Sequence, residues 1–278
     1  MRSRQTISIM ARNNMAFGEK ISDTSWKGRA EKAAAIAVAL LVWQIAAMLL
    51  DQSILLASPT EVVTALGQLL ISSDFLRTVW FSFSRIALGF LLGFCAASVF
   101  AVLSARFHIV EVLLWPYIAV IKATPVASFI ILCLVWLTSR NLSVFICFLI
   151  VFPTVYTNLL AGIRNRSLAL AEMAALYEIP PGKRLLALDL PQLRPYLLSA
   201  LELSIGMAWK AGVAAEVIGT PAGSIGKMLY TAKIYLATPE LFAWSIVVVI
   251  VSVLFEKTLV GLCRLFYRKL ERLLWILR

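Results

Sequence analysis

Lys122, Glu202, Lys210 and Glu216 are ionisable residues that stand inside long apolar stretches of the sequence. A charge at the centre of a membrane-spanning helix costs at least about 2.5–3.5 kcal/mol, so such residues face a water-filled cavity or a partner. Lys210 lies near the middle of its stretch. Its ammonium group either pairs transiently with an anionic solute, or forms a structural ion pair with a glutamate or with a second copy of the chain. Glu202 and Glu216 are eight and six residues away, which gives no direct i,i+4 pair.

Lys122 precedes Pro125 by three residues in another apolar stretch. A proline inside a helix bends it and frees a backbone carbonyl. We therefore predict a kink at Pro125, which is either a passive bend or part of a solute pathway. The residues assigned to that pathway are Lys122, Pro125, Lys210 and Glu216.

A polar stretch interrupts the apolar sequence from Ala171 to Pro195 and reads AEMAALYEIPPGKRLLALDLPQLRP. Strong helix formers and a Ser cap predict a helix over Ser167–Tyr177, with an apolar face at Leu168, Ala171, Ala175 and Leu176. The segment Ile179–Gly182 cannot continue that helix. Lys183–Leu190 predicts a second short helix, which Pro191 ends. The resulting ridge either packs under the chain's own spans or docks onto a partner.

The elements that position these residues follow from composition. Of the 278 residues, 61% are hydrophobic and 15% are charged, against about 45–50% and about 25% in soluble proteins. The chain is therefore an integral membrane protein. The net charge of +11 does not indicate nucleic-acid binding, because the basic residues flank apolar stretches as membrane topology requires. The four cysteines lack metal-ligand spacing, and we predict no catalytic residue, no metal site and no cofactor.

Six stretches approach the roughly 20 apolar residues that a helix needs to cross a bilayer. They are Ala33–Leu50, Phe83–Ala105, Val112–Leu137, Leu142–Gly162, Tyr196–Ile218 and Leu241–Leu262. The predicted fold class is an all-α membrane protein with six transmembrane helices. Ser58–Leu70 is too short to span and begins with Ser-Pro-Thr-Glu, so it predicts a short external helix on the surface.

The distribution of Lys and Arg predicts that both termini face the cytoplasm. In that orientation the outer segments hold only Arg77, Arg140, Lys227 and Lys233. The domain prediction has a basic N-terminal tail over 1–32, a six-span domain over 33–262 with its polar loop at about 164–194, and a basic amphipathic tail over 263–278. We expect that tail to lie on the inner membrane surface against anionic lipid, or to contact a partner subunit.

Glu172-Met173-Ala174, followed by Leu190-Pro191, resembles the EAA loop of binding-protein-dependent ABC transporter permeases. Glu172 matches the glutamate of the motif and Ala174 its second alanine. The position of the family's glycine holds Glu178, so we expect the tight turn to come from Pro180-Pro181-Gly182 instead. The segments Ser82–Phe90, Ala215–Gly219 and Gly223–Gly226 are similar to the nitrate/sulfonate/taurine branch of these permeases.

The resemblance implies a six-span permease whose helix-turn-helix coupling loop sits in a groove on a cytoplasmic ATPase subunit. The coupling residues that it implies are Glu172, Met173, Ala174, Ala175, Tyr177, Glu178, Pro181, Gly182, Leu190 and Pro191. The chain has no G-x-x-x-x-G-K-[ST] phosphate loop, so it is not expected to be an enzyme, and ATP hydrolysis is assigned to a separate subunit. The other implied partners are an extracytoplasmic substrate-binding protein and a second permease copy, in the inner membrane.

The implied solute is a small anion such as nitrate, sulfonate or taurine, with a vitamin precursor or another small organic compound as the alternative. A secondary transporter driven by an ion gradient is the rival outside the family, although the hydropathy shows no internal repeat. A membrane enzyme would require a His cluster, a Ser–His arrangement or a carboxylate pair, and the sequence shows none of them.

Overall fold

The computed structural model describes residues 26–50, 52 and 54–276. Every regular element in this part of the chain is helical, which confirms the all-α membrane fold. The helices are α1 Trp26–Leu50, α2 Pro59–Ile71, α3 Phe75–Arg106, α4 His108–Ala123, α5 Val126–Cys133, α6 Ser139–Arg164, α7 Leu168–Leu176, α8 Pro181–Arg184, α9 Leu190–Gly219, α10 Ile225–Ile234 and α11 Thr238–Ile276. A π-helical segment, Leu185–Asp189, joins α8 to α9.

Five helical segments among the described residues are long and apolar enough to cross a membrane as continuous spans. They are Ala30–Leu50, Phe75–Arg106, Ser139–Arg164, Pro181–Gly219 and Thr238–Leu270. The third predicted span, Val112–Leu137, is not one continuous helix. It is a pair, α4 and α5, bent by 106° at the break between them.

The break lies at Thr124 and Pro125. Thr124 is extended, with a ψ of 131°, because the ring of a following proline disfavours the helical conformation. Pro125 also has no N–H to continue the ladder of α4. The expected kink is therefore present, and it is large enough to end one helix and begin another.

The prediction that Pro191 ends a short helix is wrong. The helix runs without interruption from Pro181 to Gly219, and Pro191 lies in the first turn of α9. The π-helical segment precedes it, with the Leu190 N–H donating to the carbonyl of Leu185. A π-turn widens the backbone locally, and this wider turn accommodates a proline that would clash in a regular helix.

The chain divides into two compact units, one up to Glu61 and the other from Val62 onward. The first unit contains α1. At its end the Ser58 N–H donates to Glu61 Oε2 at 2.8 Å, and the Glu61 N–H donates to Ser58 Oγ at 3.3 Å. This reciprocal capping box starts α2 and confirms the short helix predicted from Ser-Pro-Thr-Glu.

The second unit is built on α3, α6 and α9, whose buried apolar side chains form its main core. Gly89 and Gly93 of α3 lie against α6. A Cβ at Gly89 would stand 2.3 Å from the carbonyl oxygen of Val144, and one at Gly93 would stand 3.0 Å from the Val151 side chain. The G-x-x-x-G spacing therefore lets two spans approach backbone to backbone.

The sixth predicted span and the basic tail belong to one helix. α11 continues through Tyr267, which is buried, and extends to Ile276. The boundary at residue 263 does not coincide with a helix end. Most of the predicted N-terminal tail, residues 1–25, lies outside the described residues.

Candidate functional site

Two predicted pathway lysines lie on one exposed surface built by α4, α6 and α9. Lys122, at the end of α4, donates to Thr157 Oγ1 of α6 at 3.5 Å. One turn earlier on α6, Thr154 Oγ1 lies 3.8 Å from the sulfur of Met207 on α9. Lys210 follows Met207 by one helical turn and is also exposed. We call this surface, defined by Lys122, Thr154, Thr157 and Lys210, the polar face.

The polar face carries two positive charges and no carboxylate. Lys210 has no hydrogen bond or ion pair within the described part of the chain. Glu202, one of its two expected partners, instead pairs with Arg264 of α11 at 3.7 Å. Ammonium and hydroxyl groups in this arrangement can hold an anion by charge and hydrogen bonding, but they offer no nucleophile or base for covalent chemistry.

Glu216, the other expected partner, is turned away from the lysines and is completely buried. Its Oε2 accepts a hydrogen bond from Ser82 Oγ at 2.6 Å and another from the Gly226 N–H at 3.2 Å. Ser82 Oγ in turn accepts from the Ile225 N–H at 2.9 Å. This group, Ser82, Glu216, Ile225 and Gly226, connects α3, α9 and the first turn of α10. We call it the clasp.

The structure thus separates the four residues predicted to line a pathway. Lys122 and Lys210 share the polar face, and Pro125 lies in the break between α4 and α5. Glu216 belongs to the clasp, where Gly226 packs so closely that a Cβ there would lie 2.3 Å from Glu216 Cβ.

Arg85 is an ionisable residue of the spans that sequence reasoning did not single out, although it lies inside the predicted span Phe83–Ala105. Its guanidinium lies 4.6 Å from the centroid of the Phe81 ring. Nη1 donates to the carbonyl of Arg140 and, at 3.4 Å, to Asn141 Oδ1. The signal in the sequence was a single arginine near the start of a long apolar run.

The predicted coupling loop forms the helix and sharp turn that its sequence indicates. Ser167 Oγ caps α7 by accepting from the Leu170 N–H. At the other end the Ile179 N–H donates to the carbonyl of Ala174 at 2.9 Å, and the Glu178 N–H to that of Ala175 at 3.1 Å. These two bonds form a Schellman motif, which requires a left-handed residue at the position of Glu178.

Glu178 has that conformation, with a φ of 47°. The expectation that Pro180-Pro181-Gly182 replaces the glycine turn is therefore wrong. The turn lies at the position of the family's glycine, where Glu178 adopts the strained left-handed conformation. Pro181 and Gly182 instead begin α8.

Polar contacts attach the loop to the start of α9. The Ser167 N–H donates to Gln192 Oε1 at 2.8 Å. Asp189 lies between two arginines, 3.1 Å from Arg166 and 3.8 Å from Arg184. These bonds hold α7 against the helix that becomes a membrane span, so the two elements can move together.

The residues assigned to coupling differ in their exposure to solvent. Ala174 is buried, while Glu172, Met173, Ala175, Tyr177 and Glu178 are exposed along the ridge. Leu190 and Pro191 begin α9 and are partly buried. The ridge also exposes large apolar side chains, with Leu168 78%, Leu176 79% and Tyr177 72% accessible.

Comparison with known proteins gives relatives along most of the chain. A Bacillus subtilis protein that carries the name of an aliphatic sulfonates transport permease is 28% identical, over 85% of this chain and 83% of its own length. The taurine transport system permease protein of Escherichia coli is 26% identical, over 82% of this chain and 86% of its own length. The nitrate import permease protein of Synechococcus elongatus is 25% identical, over 69% and 72% respectively.

Residues 89–272 match the profile of the family described as the binding-protein-dependent transport system inner membrane component. That match includes the predicted coupling loop, both lysines of the polar face, and every residue of the clasp except Ser82. The chain therefore belongs to this family of inner-membrane transport permeases.

Proposed function

We propose that the chain is the permease subunit of an ATP-driven importer that carries a small anion across the inner membrane. The named relatives transport, by their names, nitrate, taurine or aliphatic sulfonates. Nitrate and sulfonates are compact oxyanions, and taurine carries a sulfonate group. A solute of this kind needs a cationic, hydrogen-bonding surface inside the membrane.

The observation that carries the proposal is the exposed, unpaired Lys210 on a membrane-spanning helix. A lysine in that position has a high free-energy cost unless its ammonium group contacts water or an anion. Lys122 lies along the same surface and, among the described residues, has only a threonine hydroxyl as its partner. Two ammonium groups on one surface without a carboxylate favour an anion over a cation or a neutral solute.

The remaining parts of the importer are supplied by partners. We assign ATP hydrolysis to separate ATPase subunits that bind the ridge formed by α7 and the turn at Glu178. The exposed leucines and Tyr177 supply apolar contact there, and the bonds from Arg166 and Ser167 to Asp189 and Gln192 transmit the motion as a rigid body. An extracytoplasmic binding protein delivers the solute.

The polar face also favours a second copy of the chain. A membrane-spanning surface with two lysines is poorly suited to lipid tails, whereas two such surfaces facing each other enclose a pathway. We propose a homodimer with both polar faces turned inward and with all termini in the cytoplasm, as the positions of the basic residues favour.

Reconstitution tests the proposal. The chain would be assembled in liposomes with its cognate ATPase and binding protein, and uptake of nitrate, taurine and methanesulfonate would be measured with and without ATP. We expect ATP-dependent uptake of at least one of these solutes, and a fall of about tenfold in Lys210→Ala, which corresponds to about 1.4 kcal/mol. Lys233→Ala, which changes an exposed lysine of α10 away from the polar face, is the matched control.

Two outcomes would contradict this function. Uptake that continues without ATP but stops with an uncoupler would show a gradient-driven transporter. Unchanged uptake in Lys210→Ala would show that the lysine does not meet the solute. For the ridge, Glu172→Arg or Glu178→Arg is expected to abolish uptake while the chain stays folded, and wild-type uptake in either variant would exclude the coupling role.

A further inference from the structure

A groove of about 520 Å³ runs between α3 and α6, on the side of α6 that faces away from the polar face. One end holds Arg85 and Asn141, and the rest is apolar, with walls formed by Leu88, Leu92, Phe145 and Phe148. At about 100° per residue, Asn141, Phe145 and Phe148 share one side of α6, while Thr154 and Thr157 lie on the opposite side. The groove is therefore separate from the proposed solute pathway.

The guanidinium of Arg85 has unused donors at the polar end of this groove. Its Nη1 is occupied by the Arg140 carbonyl and Asn141 Oδ1. Nε is buried without a partner, and Nη2 has no acceptor among the described residues. No carboxylate of the described part of the chain forms a salt bridge with Arg85. The N–H groups on one edge of the guanidinium, at Nε and Nη2, therefore have no hydrogen-bond acceptor among the described residues.

The depth of Arg85 in the membrane follows from its contacts with Arg140 and Asn141, which lie in the first turn of α6. A helix of 26 residues is about 39 Å long, longer than the hydrocarbon core of about 30 Å. The first turn of α6, and the guanidinium bound to it, therefore lies close to the level of lipid headgroups. Leu88, Leu92, Phe145 and Phe148 follow within two turns, at the level of acyl chains.

We propose that this groove binds one anionic phospholipid. The phosphate accepts a charge-assisted hydrogen bond from Nη2 of Arg85. One acyl chain then lies along the apolar walls towards Phe148. Arg140, close beside the site, adds positive charge and disfavours a zwitterionic headgroup that carries an ammonium group.

Native mass spectrometry of the full-length chain, purified in mild detergent, tests this site. Phosphatidylglycerol and phosphatidylcholine would be titrated separately and the bound lipids counted. We expect one tightly held phosphatidylglycerol per chain, with at least fivefold weaker binding of phosphatidylcholine. Arg85→Gln removes the charge and is expected to weaken phosphatidylglycerol binding about tenfold.

Two further variants make the result decisive. Leu92→Trp fills the groove without touching the charge and is expected to cause a similar loss, so it decides the question if Arg85→Gln does not fold. Arg77→Gln changes an arginine of the same helix outside the groove and is expected to leave binding unchanged. Unchanged affinity in both groove variants, an equal loss in Arg77→Gln, or equal binding of the two lipids would overturn the proposal.

Other occupants of the groove would be recognised directly. Displacement of the lipid by millimolar methanesulfonate would assign the groove to a transported anion. A photocrosslinking amino acid in place of Phe145 is expected to label phospholipid. Labelling of a second copy of the chain would assign the groove to a subunit interface instead.

Discussion

The polar face and the clasp both place ionisable groups in membrane-spanning helices, but these groups differ in burial and in hydrogen bonding. Lys210 on the polar face is exposed and has no partner in the described chain. Glu216, six residues further along the same helix, is completely buried and accepts two hydrogen bonds through Oε2. One group is left available to a ligand, whereas the other holds three helices together.

A charge within a span therefore does not by itself indicate a transport site. The carboxylate of Glu216 has a structural role, because its Oε2 accepts hydrogen bonds from two other elements, while its Oε1 is buried without a partner. An exposed ammonium group without an acceptor remains available to bind a ligand or a partner. Measurements of stability and of transport on variants of these residues separate the two roles.

Glu216→Ala is expected to have the largest effect on stability. It leaves the Ser82 hydroxyl and the Gly226 N–H without their shared acceptor, at about 1–3 kcal/mol each. The melting temperature in detergent should fall strongly, with a much smaller fall in Glu216→Gln, whose amide oxygen can still accept. A melting temperature in Glu216→Ala equal to wild type would show that the clasp does not hold the helices.

Gly226→Ala should destabilise the chain by about 1–3 kcal/mol, because the new methyl group overlaps Glu216 Cβ and the neighbouring backbone. Gly206→Ala is the matched control, since a Cβ at that position of α9 meets nothing within 4 Å. The control should raise the melting temperature slightly, because alanine favours a helix over glycine by about 0.5–1 kcal/mol. Equal behaviour of the two variants would contradict the close packing described for the clasp.

Glu178→Gly tests the free-energy cost of the left-handed backbone conformation at this exposed glutamate. The left-handed conformation costs a residue with a side chain roughly 1–2 kcal/mol, and glycine avoids this cost. Slower hydrogen exchange of the amides from Ala174 to Ile179 is expected, by up to about tenfold. Faster exchange would show that the glutamate side chain, and not the Schellman turn, orders the end of α7.

Lys210→Met should have the smallest effect on stability, within about 0.5 kcal/mol, because it breaks no bond and the site is exposed. Uptake should nevertheless fall, which is the reverse of the pattern expected at the clasp. Thermal melting and uptake would be measured on the same preparation. A large loss of stability would show that Lys210 has a structural partner, such as a glutamate of a second copy.

Sequence reasoning could identify the spans and the helix of the predicted coupling loop because both depend on local patterns. Runs of about 20 apolar residues predict membrane helices whatever their packing, and the Ser cap and helix formers of α7 act within a few residues. The left-handed turn at Glu178 was missed, because a glutamate gives no preference for that conformation. There the hydrogen bonds at the end of α7 determine the backbone.

The sequence could not separate Lys210 from Glu216 or recognise Arg85. All three are single charges in apolar runs, and only the packing of α3, α6 and α9 decides which of them is buried, exposed or paired. Likewise, Pro125 and Pro191 are both prolines in apolar helices. One lies at the break between two helices, and the other lies within a continuous helix just after a π-turn.

The break at Pro125 also has a consequence for hydration. α4 has 16 residues and rises about 24 Å, so the break lies deep in the bilayer. There the last carbonyls of α4 and the first N–H groups of α5, which has no side-chain cap, have lost their intrahelical partners. Lipid tails cannot supply hydrogen bonds. Water or other protein groups must therefore supply the missing hydrogen bonds beside Lys122, even before a solute enters.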